Sequence, residues 1–153
     1  MTLEYSGSEQ IAAPPEAVWA FVTKPANIAA CMPDVKSSTI VDDRTFDATV
    51  AVGVGPVRGS FTFHVVLDPA PDGSKMGMKI SGGGFGSVVD LDASATISAG
   101  AAPGTTVLDW RGVATMRGPV ATVGGRVLDA QARRVIETTF ANVKARLSAP
   151  AAV

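Results

Sequence analysis

The sequence contains very little of what a catalytic or metal-binding site is usually built from. Its 153 residues include one cysteine, Cys31, and one histidine, His64. One cysteine cannot form a disulfide within the chain, and one Cys with one His cannot complete the ligand set of an ordinary zinc site. A Cys31–His64 nucleophile pair would also need an oxyanion hole, which no motif indicates. We therefore expect no metal site, no catalytic residues and no enzymatic activity.

Charged residues are also scarce and nearly balanced. They make up 18% of the chain, and the net charge is −1, which predicts no nucleic-acid partner. The distribution is uneven, because residues 1–116 carry 7 basic and 12 acidic residues while residues 117–153 carry 6 and 2. The basic C-terminal part is either a solvated helix face or a surface for anionic lipid or an acidic partner.

Long hydrophobic runs are missing as well. No apolar run approaches the roughly 18 residues that a membrane-spanning helix needs, and the N-terminus lacks a signal-peptide pattern. We expect a cytoplasmic protein, with any membrane contact peripheral at the inner face of the cell membrane. The hydrophobic fraction of 46% is enough for a core, so residues 1–148 are predicted to form one domain and residues 149–153 a short disordered tail.

What the chain does contain is alternation of apolar and polar residues. From residue 35 to residue 116 the alternation has a period of two, which is typical of strands with one solvated face. Phe46, Ala48 and Val50 share one face, for example, and Asp47 and Thr49 share the other. Together with residues 3–11, this pattern predicts about seven antiparallel strands.

Helical patterns flank the strands. Residues 16–23 and 26–31 are predicted as short helices, each introduced by proline and ended before the next one. Residues 118–147 predict one long helix, whose apolar stripe is regular from Leu128 onward. Gly124 and Gly125 would lie inside it, at a cost of about 1 kcal/mol each relative to alanine, so we expect a bend or thin spot there.

This order of elements predicts an α+β fold in which a curved antiparallel sheet wraps around a long C-terminal helix. The inward-facing residues would line a cavity between sheet and helix, and large apolar side chains that include methionines suit apolar ligands. The expected lining consists of Trp19, Met32, Phe46, Phe61, Phe63, Met76, Met78, Phe85, Leu91, Trp110, Val120, Val123, Gly124, Val127 and Phe140.

Other conspicuous residues have structural explanations. His64 alternates with the polar residues of its strand and is expected on the surface. The strand positions that face solvent include Asp90, Asp92, Asp109 and Arg111, which predicts ion pairs across neighbouring strands. The glycines of residues 82–86 run into a strand rather than a helix, so they predict a hairpin turn and not a phosphate-binding loop.

Six short segments carry a family resemblance over nearly the whole chain, residues 3–147. They are Ala17-Val18-Trp19 with Ala29-Ala30-Cys31-Met32-Pro33; Val52-Gly53-Val54-Gly55-Pro56-Val57-Arg58-Gly59; the hairpin at 82–86; and Thr106-Val107-Leu108-Asp109-Trp110 followed by Gly118-Pro119-Val120-Ala121. In this order they resemble the carbon monoxide dehydrogenase G-subunit family, within the START-like (SRPBCC) helix-grip superfamily. The family's cysteine-proline element continues into glycine, where this chain has Asp34.

The resemblance implies a non-catalytic accessory protein that helps to connect a molybdenum-type carbon monoxide dehydrogenase to the membrane. It suggests binding of menaquinone, another isoprenoid quinone or a lipid, with no covalent cofactor. The tail of such a ligand would lie between sheet and helix. We expect its head group at a mouth between the short helices, at Trp19 and Met32, and the first turns of the long helix.

Two alternatives remain at this level. In one, side chains fill the cavity and the protein is a docking or membrane-recruitment scaffold that uses the basic helix face of Arg126, Arg133 and Lys144. In the other, the protein is a small cyclase-like enzyme, which would need a polar pair inside the cavity.

Overall fold

The chain is built around one antiparallel sheet. The computed structural model describes residues 1–147, and within them seven strands occur: β1 (Thr2–Ile11), β2 (Val35–Asp42), β3 (Thr45–Val54), β4 (Val57–Pro69), β5 (Lys75–Gly84), β6 (Ser87–Ala99) and β7 (Thr106–Arg117). The order across the sheet is β1-β7-β6-β5-β4-β3-β2. The sheet is therefore open, with β1 and β2 at its edges. The predicted tail at 149–153 lies outside the described residues.

The register of the strands confirms the alternation read from the sequence. Ala48 pairs with Phe63 on the inner face, and Asp47 pairs with His64 on the outer face. Since side chains alternate strictly along a strand, one pairing determines on which face of the sheet the other residues of both strands lie. The predicted fold, a curved sheet around a long C-terminal helix, is confirmed.

Two short helices follow the first strand, as predicted. They are α1 (Pro15–Val22) and α2 (Pro25–Cys31). Each has proline in its first turn, where the missing N–H would have had no intrahelical acceptor. Val18 and Val22 of α1 and Cys31 of α2 are buried against the inner face, so these helices close one end of the sheet.

The C-terminal helix is shorter than predicted. The structure has a 3₁₀ segment over Pro119–Val123 and then α3 over Gly125–Leu147, so the prediction of one helix from residue 118 is wrong. Gly118 and Gly124 have φ values of 84° and 100°, which a right-handed helix cannot contain. Gly124 therefore separates two elements, and Gly125 begins α3 instead of interrupting it.

The turn of the glycine-rich hairpin is shorter than the predicted range of residues 82–86. Residues 82–84 belong to β5, and the chain reverses at Phe85 and Gly86. Both of these residues have positive φ values, 54° and 79°, as a two-residue type I′ turn requires. The hairpin itself is confirmed.

The buried core is divided into two clusters. The larger one joins α1, α2 and the C-terminal half of α3 to the sheet, and includes Val18, Phe46, Val65 and Val143. The smaller one joins the 3₁₀ segment and the start of α3 to the opposite end of the sheet; it consists of Val54, Val57, Phe61, Met116, Val120 and Leu128.

Candidate functional site

The region between the two clusters is incompletely filled. On α3, Leu128 and Val143 are buried, whereas Val135, Ile136 and Phe140 between them are half-buried. The inner face of the sheet shows the same pattern at its centre. Its half-buried apolar residues there are Val50, Val52, Phe63, Met78, Ile80, Leu91, Ala93 and Ala114. Apolar side chains that face each other yet keep exposed surface indicate a space between sheet and helix.

α3 spans this space by contacts near the rims of the sheet. Among the strands, it packs mainly on β1 and β3, and at its C-terminal half on α1 and α2. The Nδ2 of Asn142 donates a hydrogen bond to the carbonyl of Cys31 at 2.9 Å. These contacts hold the helix across the concave face while the central strands β5 and β6 stay at a distance from it.

Two polar bridges join β1 to α3. The hydroxyl of Tyr5 donates to Asp129 at 2.8 Å, and the Nζ of Lys144 lies 2.7 Å from the carboxylate of Glu9. Asp129 also accepts from Arg133 at 3.0 Å, and the guanidinium of Arg133 lies 5.3 Å from the centre of the Tyr5 ring.

A lateral groove opens between these two bridges. Its volume is about 440 Å³, and the rings of Trp110 and Phe140, with centres 5.4 Å apart, form part of its wall. We call it the β1–α3 groove. The residues that line it are Tyr5, Ser6, Gly7, Ser8, Glu9, Trp110, Arg133, Ile136, Glu137, Phe140, Ala141 and Lys144.

The groove exists because Gly7 has no side chain. Gly7 pairs with Trp110 in the register of β1 and β7, and a Cβ added there would lie 2.9 to 3.1 Å from three atoms of the indole. The indole thus occupies the position between Tyr5 and Glu9 that a side chain would otherwise fill. Its Nε1 is buried, and no group among the described residues accepts a hydrogen bond from it.

Hydrogen bonding sets the ionisation of the Tyr5–Asp129 bridge. The Tyr5 hydroxyl and then Arg133 lower the pKa of Asp129, because both stabilise the carboxylate. Burial and the same hydrogen bond raise the pKa of Tyr5. Asp129 is therefore an anion and Tyr5 a neutral donor at neutral pH.

The predicted lining residues occupy three kinds of position. Phe46, Phe61, Met76 and Val120 are buried in the two clusters. Trp19, Met32, Phe63, Met78, Leu91, Trp110, Val123 and Phe140 are half-buried. Phe85, Gly124 and Val127 are exposed, Phe85 to 64%. The ligand-binding role of the set stays a prediction.

The two expected borders of the mouth pack on different core clusters, and the position of the mouth stays a prediction. Trp19 and Met32 pack on the larger cluster, whereas Leu128, in the first turn of α3, belongs to the smaller one. The two proposed borders of the mouth therefore lie at opposite ends of the sheet. The β1–α3 groove is one opening among the described residues.

Sequence reasoning missed Tyr5, Gly7, Glu9 and Ile136 as groove residues. A signal was present at Gly7, since glycine within an alternating strand often marks a close approach of another group. The bridges carried no signal, because they join residues more than one hundred positions apart.

Polar groups away from the groove behave only partly as predicted. His64 is exposed, as expected, and lies 2.6 Å from Asp47. Of the expected outer-face ion pairs, Asp90 forms one at 3.6 Å, but with Arg117, and among the described residues no ion pair involves Arg111. Cys31 is buried, and burial raises the pKa of its thiol, which keeps it protonated and unreactive. Within residues 1–147 no group of three His, Cys, Asp or Glu side chains is placed to hold a metal ion.

The proposed basic face of α3 is not a continuous free surface. Arg133 is engaged with Asp129 and Lys144 with Glu9, so two of its three cations serve the bridges of the groove. This arrangement argues against the alternative hypothesis of a scaffold that docks through Arg126, Arg133 and Lys144 together.

A second concavity lies on the outer face of β5, β6 and β7. It measures about 830 Å³, and charged residues that include Lys79, Asp92 and Arg111 line it. Apolar residues that include Val66 and Val113 also line it.

The comparison with protein families identifies the chain. The model of the carbon monoxide dehydrogenase G-subunit (CoxG) matches residues 7–148. The chain belongs to the CoxG family. A search of curated proteins finds no match.

Solved structures show that the CoxG chain has a START-like fold. A conserved protein from Geobacillus kaustophilus is 20% identical, with 95% of each chain covered and a TM-score of 0.84. A START superfamily protein from Mycobacterium smegmatis is 15% identical, with 94% of this chain and 96% of that chain covered and a TM-score of 0.71. The protein XoxI from Bacillus cereus is 16% identical over 94% of each chain, with a TM-score of 0.64. At these identities the likeness shows the fold alone.

The helices of the CoxG chain differ from membrane-spanning ones. None of those within residues 1–147 combines the length and hydropathy that crossing a bilayer would require.

Proposed function

We propose that this protein binds a long apolar molecule, an isoprenoid quinone such as menaquinone, between the sheet and α3. Membership of the CoxG family and the START-like fold support a ligand-binding accessory protein. In this proposal the bound quinone serves a molybdenum-type carbon monoxide dehydrogenase and connects it to the quinone pool of the membrane. The protein itself supplies no catalytic residue.

The observation that carries the proposal is the divided core. A domain that only needed stability would bury the facing side chains of α3 and the central strands, because each buried CH₂ contributes about 0.8 kcal/mol. Here Phe63, Leu91 and Ile136 face the interior but stay half-buried. An isoprenoid tail between them would gain the same free energy per CH₂, without any polar anchor.

The β1–α3 groove suits the head group. Trp110 and Phe140 offer flat rings to a planar quinone, and the Nε1 of Trp110 is a buried donor without an acceptor among the described residues. A quinone carbonyl is an acceptor, and satisfying a buried donor recovers part of its desolvation cost, about 1–3 kcal/mol. Local movement of β1 at Gly7 would be needed to admit it.

The test is direct. Mass spectrometry of solvent extracts from purified protein should detect a prenylated quinone, and protein stripped of lipid should take up a menaquinone analogue in solution. Protein that is always empty and takes up no analogue would refute the proposal.

A matched pair of variants locates the site. Ala93→Phe adds bulk on the inner face, where Ala93 is half-buried opposite Met78, whereas Ala51→Phe adds the same bulk on the exposed outer face. We expect Ala93→Phe to weaken uptake about tenfold or more by displacing several CH₂ contacts, and Ala51→Phe to leave it unchanged. Equal uptake by both variants would place the ligand elsewhere.

A further inference from the structure

One end of the molecule combines exposed apolar side chains with an excess of arginine. It consists of residues 54–58, 84–90 and 117–128, which we call the apical end. These segments contain Arg58, Arg117 and Arg126 but a single acidic residue, Asp90. Because Arg117 pairs with Asp90 at 3.6 Å, Arg58 and Arg126 supply the excess positive charge. The loops at the other end of the sheet, residues 42–44, 68–75 and 100–105, carry four acidic and two basic residues.

The three segments of the apical end form one surface. Gly86 lies against Pro119, and Gly55 lies against Val123. The backbone N–H of Val120 donates to the hydroxyl of Ser87 at 2.9 Å. The smaller core cluster lies directly beneath and fixes the segments to each other.

Phe85 is the most unusual residue of this surface. It is 64% exposed and has a φ of 54°, a conformation that is unfavourable for an aromatic residue and suits Gly, Asn or Asp. Its ring covers Gly59 and lies 6.5 Å from the buried ring of Phe61. An exposed aromatic residue kept in a strained turn, where asparagine would fit better, points to a function for the ring itself.

Two further apolar side chains extend the surface. Val88 is 39% exposed and Val127 is 44% exposed. Val88 pairs with Arg117 across β6 and β7, and Arg126 directly precedes Val127. Exposed apolar residues in a turn, at the start of a strand and in the first turn of a helix, with arginines beside them, match a bilayer interface, where rings enter the acyl boundary and guanidinium groups meet lipid phosphates.

We propose that the apical end docks on the anionic surface of a lipid bilayer. The charge excess favours a bilayer over a neutral apolar partner, and the exposed ring favours a bilayer over simple electrostatic attraction. The proposal rests on the function proposed above, because a membrane-dissolved ligand requires a protein surface that reaches the membrane.

The test is co-sedimentation of the full chain with phosphatidylcholine vesicles that contain or lack phosphatidylglycerol. We expect binding to the anionic vesicles and its decrease at high salt. Arg58→Gln with Arg126→Gln should weaken binding roughly 25-fold, at about fivefold per arginine. Phe85→Asn, which suits the turn, should weaken it about tenfold through lost apolar burial.

Matched controls carry the same changes elsewhere. Arg44→Gln with Arg111→Gln removes two exposed arginines away from the apical end, and Val41→Asn removes an apolar side chain that is 53% exposed. Both should bind vesicles like the parent protein.

Three results would overturn the proposal. The parent protein could fail to bind anionic vesicles while it still takes up a menaquinone analogue from solution, which would leave the proposed function intact. The apical and control variants could bind equally. The apical variants could lose a dehydrogenase subunit in a pull-down but keep vesicle binding, which would assign the surface to a protein partner. Vesicle binding without uptake of the analogue would instead refute the proposed function alone.

Discussion

At Gly7 the smallest residue determines where the largest side chain lies. The indole of Trp110 rests against the bare backbone of β1 and forms the wall of the β1–α3 groove. A side chain at this position would displace the indole toward Phe140. The shape of the groove therefore depends on one missing methyl group.

We predict that Gly7→Ala destabilises the protein by about 1–3 kcal/mol, as overpacking of an ordered site does, and weakens uptake of a menaquinone analogue. Urea unfolding and a binding titration measure the two effects. Gly53→Ala is the control, because Gly53 is also within a strand but its added Cβ would meet nothing nearer than the flexible end of Arg58, at 3.6 Å. Equal effects of the two substitutions would contradict the assignment.

Asp34 occupies a backbone conformation that favours glycine. Its φ is 62°, in the left-handed region. Aspartate tolerates this region better than most residues, and its carboxylate accepts a hydrogen bond from Arg134 at 2.9 Å. The side chain thus ties the start of β2 to α3.

Two substitutions separate these effects. Asp34→Ala should destabilise the protein by about 1–2 kcal/mol, because alanine keeps the strain of the left-handed conformation and loses the ion pair. Asp34→Gly should have an effect below about 1 kcal/mol, since it relieves the strain as the ion pair is lost. Thermal unfolding of both variants provides the measurement, and equal losses would argue against backbone strain.

The sequence predicts on which face of the sheet a residue lies better than it predicts how deeply the side chain is buried. The expected lining includes Phe85 and Val127, yet both are exposed, because they lie in a turn and in a first helical turn, where the sheet no longer covers them. Phe46 and Phe61 lie mid-strand, and they are buried as their parity predicts.

At the scale of elements, Gly124 and Gly125 have opposite roles although they are adjacent. Gly124 has a φ of 100° and ends the 3₁₀ segment, whereas Gly125 is the first residue of α3. A Cβ would meet nothing within 4 Å at either position. Backbone conformation alone therefore distinguishes them. The prediction placed a bend or thin spot inside one helix, whereas the structure has a break between two elements at Gly124.

We predict that alanine substitutions at Gly124 and Gly125 change the free energy of unfolding in opposite directions. Gly124→Ala should destabilise the protein by about 1 kcal/mol or more, because alanine is strained at positive φ. Gly125→Ala should stabilise it by up to about 1 kcal/mol through reduced entropy of the unfolded chain. Chemical denaturation measures the stability of both variants, and two losses of stability of similar size would contradict a start of α3 at Gly125.

The Tyr5–Asp129 bridge makes the stability of the contact between β1 and α3 depend on pH. The pKa of Asp129 is lowered in the folded state, so its contribution to stability is present above the ordinary aspartate pKa and is lost as pH falls through the folded value. Tyr5→Phe removes the first cause of the shift.

We therefore expect Tyr5→Phe to raise the pKa of Asp129 toward its ordinary value and to reduce the loss of stability in acid. NMR titration of the Asp129 carboxyl measures the shift directly. Thr2→Val changes a hydroxyl on the same strand that takes no part in the bridge and serves as the control. An unchanged Asp129 titration in Tyr5→Phe would contradict the bridge.

The elements were predictable to different degrees for physical reasons. Strands and short helices follow from local periodicity and proline, and the sequence shows both. The break at Gly124 depends on a positive φ that glycine permits but does not require. The groove depends on contacts between β1 and α3, which local patterns do not encode.

At the scale of the whole molecule, an incompletely filled interior predicts that ligand contributes to stability. Removal of bound lipid should lower the unfolding temperature, and a menaquinone analogue at about 100 times its Kd should restore about 2.7 kcal/mol. Differential scanning calorimetry of stripped and reloaded protein tests this, with Ala93→Phe as the control that should respond least. Identical unfolding with and without analogue would argue against an interior site.

The divided core also separates two kinds of evolutionary freedom. The buried residues of the two clusters pack the helical segments onto the two ends of the sheet; examples are Val18, Phe46, Phe61 and Val143. Their replacement would therefore reduce stability in every descendant. The half-buried residues between the clusters, Leu91 and Ala93 among them, should tolerate changes of size better than the buried ones. If the proposed function holds, a lineage could therefore alter which molecule it binds while its scaffold stays the same.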